Sequence, residues 1–343
     1  MRLQRVTPDG PGYSRRRRGR GFSYHGEDGA PITDRATLER IRALAVPPAW
    51  RDVWICAQPG GHIQAVGTDD AGRRQYRYHD EWRRRRDADK HERVLRLARR
   101  LPAVRAQISE QLEGRGLRCD RVLAAALRML DIGAFRIGCD EYAPGPGEDE
   151  GSFGLATVRR EHVRLYRGII ELRYPAKGGI DQVITLRDPA LHAVVRSLLR
   201  RDGSGDEDLL AYRGKQGWHD VCAEDINTRL KELAGDEFSA KDLRTWNATM
   251  LAAVALAGSA AEGIPTSQHA QARVINAALD EVAEHLGNTR AVARKSYVDP
   301  RVLEHYTEGR TILAAVRRAG TSDLIEDQSR ARLERALLRL LRA

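Results

Sequence analysis

Apolar positions change their spacing more than once along this chain. Between residues 52 and 78 they alternate in short runs. Asp52–Ala57 reads as one strand, Pro59-Gly60-Gly61 as a turn and His62–Thr68 as a second strand. Asp69-Asp70-Ala71-Gly72 then turns into a third, which ends in Gln75-Tyr76-Arg77-Tyr78. A short helix precedes them, capped near Thr33 or Asp34 and stopped by Pro47-Pro48. From residue 90 onward the spacing becomes three and four, which predicts helices over 90–101, 104–113 and 118–134. Alternating or continuous apolar runs return at His162–Tyr166, Ile169–Tyr174 and Ile180–Leu186. Pro175-Ala176-Lys177-Gly178-Gly179 forms a hairpin turn between the last two. Beyond 188 the pattern is mostly helical.

The predicted fold class is therefore α+β. A small β-rich domain over 21–85 is joined by a linker at 86–92 to a larger, mostly α-helical domain over 93–310 that holds a small sheet. Residues 1–20, rich in Gly, Pro and Arg, read as a flexible basic arm. Residues 311–343 read as a helical tail. Its amphipathic stretch carries Leu324, Leu333, Leu337, Leu338 and Leu341, and either packs on the core or binds a partner. Pro144–Gly151 and Asp202–Asp208 read as solvated loops.

Charge narrows the partner. The 343 residues carry a net charge of +10, which points to a polyanion, with nucleic acid ahead of an acidic membrane surface. Lysine occurs only at 90, 177, 215, 231, 241 and 295; the other basic residues are arginine. Arginine keeps its proton in a protein and lysine can give one up, so a cationic general acid would come from a short list.

Other classes fall away. The four cysteines form no CxxC pair, which argues against a zinc module or a disulfide framework. The longest apolar stretch, Met250–Gly258, is too short to span a bilayer, and no apolar signal segment follows the arginine-rich start. A soluble, cytoplasmic, nucleoid-associated protein is expected. No GxxxxGK[ST] loop or HExxH pair exists. Asp202-Gly-Ser-Gly-Asp206 fails as a calcium loop, since Glu207 and Arg213 stand where Gly and Glu are needed. No metal site and no ATP site are expected.

Four segments suggest chemistry when taken together: Phe135-Arg136-Ile137-Gly138, the hairpin with Lys177, Lys241-Asp242-Leu243-Arg244-Thr245-Trp246, and His285-Leu286-Gly287-Asn288-Thr289 followed by Ser296-Tyr297. Each has an ordinary reading alone. An arginine lies on a solvated face, a lysine on a Gly-rich turn is merely exposed, a lone tyrosine is core or surface, and Gly287 ends one helix while Asn288 caps the next. Their order and spacing resemble the type IB DNA topoisomerases of the poxvirus-like group and their bacterial homologues. Arg136 sits in that family's Arg-x-Gly step. Gly154-Leu155-Ala156-Thr157-Val158 resembles its GLxT segment, and Lys241-Asp242-Leu243-Arg244-Thr245 its KDLRT motif. Gly72-Arg73-Arg74-Gln75-Tyr76-Arg77-Tyr78 resembles its DNA-facing strand. The resemblance covers residues 20–310.

The resemblance implies a C-shaped clamp around duplex DNA and a monomeric enzyme that works without ATP or an obligatory metal. It implies Arg136, Lys177, Arg244, Asn288 and Tyr297 as catalytic residues, with Tyr297 forming a 3′-phosphotyrosine bond. Gln75, Tyr76, Tyr78 and Lys241 would contact DNA. Asn288 stands where the poxviral pattern has His; it can still donate a hydrogen bond but is never charged. Tyr76 and Tyr78 share one side of their strand, so they either meet DNA or lie buried together. Lys241 is either a proton donor or phosphate contact, or a plain charge in a first helical turn. Two other functions compete. A tyrosine recombinase would share the chemistry, but usually has His in place of Lys241 and a helical N-terminal domain. A noncatalytic DNA-binding protein would explain the charge but not the ordered residue set.

Overall fold

The computed structural model describes residues 3–138, 151–177, 179–202, 207–319 and 327–342. The loop expected at 144–151, save Gly151, and the centre of that at 202–208 lie outside the described residues, as do Gly178 and Leu324. The chain divides into two compact units, Met1–Lys90 and His91–Ala343.

The first unit is a five-stranded antiparallel sheet in the order β2-β1-β3-β4-β5 with one helix. Its elements are β1 (Gly12–Arg18), β2 (Gly21–His25), α1 (Arg35–Ala43), β3 (Arg51–Cys56), β4 (Ile63–Thr68) and β5 (Arg74–Tyr78). Asp34 caps α1 by accepting the Thr37 N–H at 2.8 Å. Ile41, Val53, Ile55 and Ala65 form its small core. The expected arm is corrected here, because residues 12–18 form a strand paired with both β2 and β3. Gly19, at φ +56°, supplies the turn of a two-residue hairpin. The run Arg15–Arg18 hid the strand, since charge suggested solvation. In fact Arg15 donates to the carbonyls of Val46, Pro47 and Trp50 and lies over the Phe22 ring.

The expected linker at 86–92 and the break between two helices near 102 are also corrected. One helix, α2 (Asp80–Leu112), runs through both, with Pro102 inside it. Its apolar stripe from Val94 to Leu112 is buried along its length, so packing outweighs the lost hydrogen bond at proline.

The second unit continues with α3 (Cys119–Gly133), a sheet β6-β7-β8 (Val163–Tyr166, Ile169–Ala176, Ile180–Arg187) and α4 (Pro189–Leu199). A hairpin that helical periodicity could not reveal follows, β9 (Ala211–Gly214) and β10 (Gly217–Asp220). Then come α5 (Ala223–Ala234), α6 (Ala240–Ser259), α7 (Gln268–Leu286), α8 (Arg290–Ser296), α9 (Pro300–Thr307), α10 (Leu313–Ala319) and α11 (Asp327–Leu340). Along β7 the expected alternation holds: Ile170, Leu172, Tyr174 and Ala176 are buried. The tail packs on the core, with Leu333, Leu337 and Leu341 inside it.

A buried ionic network joins α2, α3, α6 and α11. Arg105 donates to Asp131 at 2.8 and 3.0 Å and to Glu334 at 2.7 and 2.8 Å, and Trp246 Nε1 donates to Glu334 at 3.1 Å. Burial alone would raise the Asp131 pKa, but Arg330, Arg105 and Arg128 hold it well below the usual carboxylate range. A lowered carboxylate pKa adds stability that is fully present above the unfolded value, about 4, and is lost as pH falls through the folded one. Urea unfolding is therefore expected to show stability falling as pH drops from 4 toward 2. Asp131→Asn should flatten that dependence and cost about 3–5 kcal/mol at neutral pH, because it strands buried arginines.

Candidate active site

Four side chains from separate parts of the second unit meet at one place. Arg136 follows the C-terminus of α3. That helix ends at Ala134, whose φ of +49° turns the chain out of the helix. The GLxT segment then braces the turn. Leu155 N–H donates to the Arg136 carbonyl at 2.8 Å and Ala156 N–H to that of Ile137 at 2.7 Å. Gly138 and Gly154 lie backbone to backbone; a Cβ on Gly154 would fall 2.4 Å from Gly138 Cα. Glycine is needed at 154 so that this strap can approach, and its amide is held by Thr157 Oγ1 at 3.0 Å.

Arg244 lies in the second turn of α6, almost wholly buried. It donates to the carbonyls of Ala134 and Leu286, joining the ends of α3 and α7. The KDLRT motif explains how α6 starts there. Asp242 accepts from Ser239 N–H at 3.0 Å and Ser239 Oγ at 2.9 Å, and also from Arg93 at 2.8 Å, which ties α6 to α2. Burial lowers the Arg244 pKa; the charge of Tyr297 opposes this and the neighbouring Arg136 adds to it. The guanidinium carbon sits 5.3 Å from the Tyr297 ring centroid.

Gly287 closes α7 in the left-handed conformation, φ +57°, and a Cβ there would strike Gln182 Oε1 at 2.0 Å. Thr289, not Asn288, caps α8, accepting from Val292 N–H at 3.3 Å. Asn288 is thereby left to face Arg136, which donates to its Oδ1 and to the Gly287 carbonyl at 2.8 Å. Asn288 Nδ2 and Arg244 Nε are buried donors without a protein acceptor among the described residues. These two donors, one of them Arg244's own, with the guanidinium of Arg136 beside them, suit an anionic oxygen.

Tyr297 stands at the C-terminal end of α8, half-buried, its N–H bonded to the Ala293 carbonyl at 3.1 Å. Thr249 of α6 pins the chain around it, with Oγ1 3.2 Å from the Tyr297 carbonyl and accepting from Asp299 N–H at 3.1 Å. Behind the cluster a small cavity is lined by Phe135, Arg136, Tyr174, Gln182 and Arg244 among others. Burial there pushes the Tyr174 hydroxyl pKa up, so Tyr174 is a weaker nucleophile candidate than its proximity suggests.

Not every expected residue joins this cluster. Lys177 is exposed at the start of the β7–β8 turn, one residue beyond Ala176, which lines the cavity. Lys241 is exposed in the first turn of α6. In the first unit, Tyr76 and Tyr78 are 41% and 38% exposed and stack at 6.0 Å, which removes the alternative that both are buried. Gln75 Nε2 donates to Asp69 at 2.9 Å. Three residues that shape the site escaped the sequence reading: Asp242 and Thr249, which position α6 and Tyr297, and Gln182, which packs against Gly287. Asp242 was legible in principle, as the fourth residue of a Ser-x-x-Asp capping pattern.

The comparisons with known proteins agree with this architecture. The family described as eukaryotic DNA topoisomerase I, catalytic core, matches residues 79–318, and that described as bacterial DNA topoisomerase IB, N-terminal domain, matches residues 21–69. The chain belongs to the type IB DNA topoisomerase family, with an N-terminal domain of the bacterial kind. It is 29% identical over 302 residues to the DNA topoisomerase 1B of Acanthamoeba polyphaga mimivirus, covering 86% of this chain and 87% of that protein. It is 21% identical over 282 residues to the DNA topoisomerase 1B of vaccinia virus (strain Copenhagen), covering 80% and 83%. Among the described residues no helix is long and apolar enough to cross a membrane.

Proposed function

We propose that this topoisomerase cuts one strand of duplex DNA by attack of the Tyr297 oxygen on a backbone phosphorus. The new bond is a 3′-phosphotyrosine ester, and the bond from phosphorus to the 5′ oxygen breaks. The phenol gives its proton to solvent water as it attacks. Its unperturbed pKa is about 10, so phenolate character must be stabilised, and Arg244 beside the ring supplies positive charge. Arg136, Arg244 and Asn288 meet the charge that builds on the nonbridging oxygens. The leaving 5′ oxygen is far more basic than a phenol and needs a proton, which Lys177 donates from its hairpin. Lys241 contacts a phosphate or donates a second proton. The ester conserves the energy of the cut bond, so reversal religates the strand without ATP. While the strand is open the duplex swivels and supercoils relax. No obligatory metal takes part, because the guanidinium groups carry the electrostatic load.

The observation that supports this reading most directly is the meeting of Arg136, Arg244, Asn288 and Tyr297, with two buried donors lacking an acceptor. In the first unit, exposed Tyr76 and Tyr78 contact the DNA backbone or base edges. Gln75 exchanges its Asp69 partner for a base edge, where a bidentate pair with adenine is available. The enzyme acts as a monomer on nucleoid DNA.

The test is relaxation of supercoiled plasmid in EDTA without ATP, with the covalent adduct trapped by denaturant and mapped to a peptide. Relaxation with the adduct on Tyr297 is expected; an adduct elsewhere, or a requirement for a metal, would overturn the assignment. Lys177→Ala should slow cleavage on the order of 10²–10⁴-fold on ordinary DNA, the range of general-acid catalysis. With sulfur in place of the 5′ oxygen, a leaving group that needs no proton, the defect should largely vanish. An equal defect on both substrates would remove Lys177 from that role.

A further inference from the structure

The family match ends at residue 318, yet α11, beyond it, reaches the elements that carry the candidate catalytic arginines. The last turn of α3 leaves carbonyls without helical partners. Two of them are met by side chains from elsewhere: Asn247 Nδ2 donates to Leu130 O at 3.3 Å and to Asp131 O at 2.8 Å. Arg330 of α11 completes the cap. Its Nη2 lies 2.9 Å from the Asp131 carbonyl, 3.1 Å from Asp131 Oδ1 and 2.7 Å from Asn247 Oδ1. By taking Oδ1 it fixes the Asn247 amide with Nδ2 toward α3. Glu334, one turn on, fixes Arg330 in turn, accepting its Nε at 3.2 Å.

Each partner of Arg330 leads directly to the site. Asp131 is five residues before Arg136, and Ala134 between them receives Arg244. Asn247 is three residues after Arg244 on the same helix. One guanidinium therefore sets the spacing between the end of α3 and the middle of α6. The apolar face of α11 (Leu333, Leu337, Leu341) is buried in the same core and supplies the docking energy.

We propose that Arg330 is a positioning residue for Arg136 and Arg244, and that α11 is a working part of the active site. This rests on the assignment of those arginines to the scissile phosphate. A shift of about 1 Å at a catalytic group can cost on the order of 100-fold in rate.

The test uses the full-length protein and single-turnover cleavage of a duplex containing one cleavage site. Arg330→Ala is expected to slow cleavage on the order of 10- to 100-fold with DNA affinity unchanged. Arg330→Lys, which keeps the charge but cannot serve three acceptors with one planar group, should fall between it and the parent. With the cleavage site placed near a strand end, the short cut fragment dissociates and religation cannot follow, so the covalent plateau counts folded molecules and the rate is read separately from any loss of stability. The deciding comparison is a substrate whose scissile phosphate is a neutral methylphosphonate. It needs less charge stabilisation, so the Arg330→Ala defect should shrink on it, as should that of Arg244→Ala. If Arg244→Ala is suppressed on the neutral substrate but Arg330→Ala shows an equal defect on both, or none on either, Arg330 is not a positioning residue. If Arg244→Ala is not suppressed either, the assignment of the arginines to the phosphate fails first.

Discussion

Tyr297→Phe is expected to abolish both the covalent adduct and plasmid relaxation while leaving the protein folded and bound to DNA. The substitution removes one oxygen. The backbone contacts that hold the residue, its N–H to Ala293 and the Thr249 hydroxyl near its carbonyl, do not involve that oxygen. The ring and the stacked Arg244 also remain. Tyr174 behind the cluster is buried with its pKa raised, which makes it a poorer nucleophile. The check pairs denaturing-gel detection of the adduct with a thermal melt. An adduct that persists in Tyr297→Phe would move the nucleophile elsewhere.

Arg244→Ala is expected to be the most damaging loss among the residues proposed to meet the phosphate, and to damage two properties at once. A preorganised donor to a developing oxyanion is worth about 2.7–4 kcal/mol, which predicts cleavage slowed on the order of 10²–10³-fold. Arg244 is also the joint between α3 and α7. Without it the Ala134 and Leu286 carbonyls lose their donor in a buried setting, at roughly 1–3 kcal/mol per stranded group. Relief from burying a guanidinium offsets part of this, so a net loss of about 2 kcal/mol is expected. Arg136→Ala should slow cleavage comparably but disturb stability less, because Arg136 is only half-buried and among the described residues its side chain bonds the Gly287–Asn288 step rather than two helix ends. Denaturant unfolding alongside single-turnover rates checks the contrast. Equal stability losses in the two variants would mean that Arg244 is not the joint described.

The two arginines illustrate why a candidate active-site residue can be read from sequence while its second duty cannot. Arg244 was recognisable from the motif around it. That its guanidinium also caps two helices depends on α3 and α7 ending within reach of α6, and their ends are 110 and 42 residues away in the chain. The Gly287-Asn288-Thr289 step makes the same point. Sequence placed a helix end and a new start there, but its ordinary reading gave the cap of the second helix to Asn288. Thr289 caps it instead, and Asn288 is freed for Arg136.

Periodicity by itself located the central strands and the first helix of the core after α2. Strands β3 to β8 and helix α3 lie within a few residues of their expected limits, because a one-sided or fully buried element must repeat its apolar positions at the period of its backbone. Motif order determined the family and the candidate residues. Local pattern failed where long-range contacts reversed a local preference. Arg15–Arg18 form a strand because neighbouring carbonyls and a ring receive Arg15. Pro102 stays inside α2 because the helix is buried on both sides of it. Arg330 and Glu334 become part of a buried network because three other helices bring them oppositely charged or polar partners. A charge in a sequence looks solvated until the tertiary structure provides its counterpart, and only the folded chain decides which charges are paired inside and which remain free for DNA.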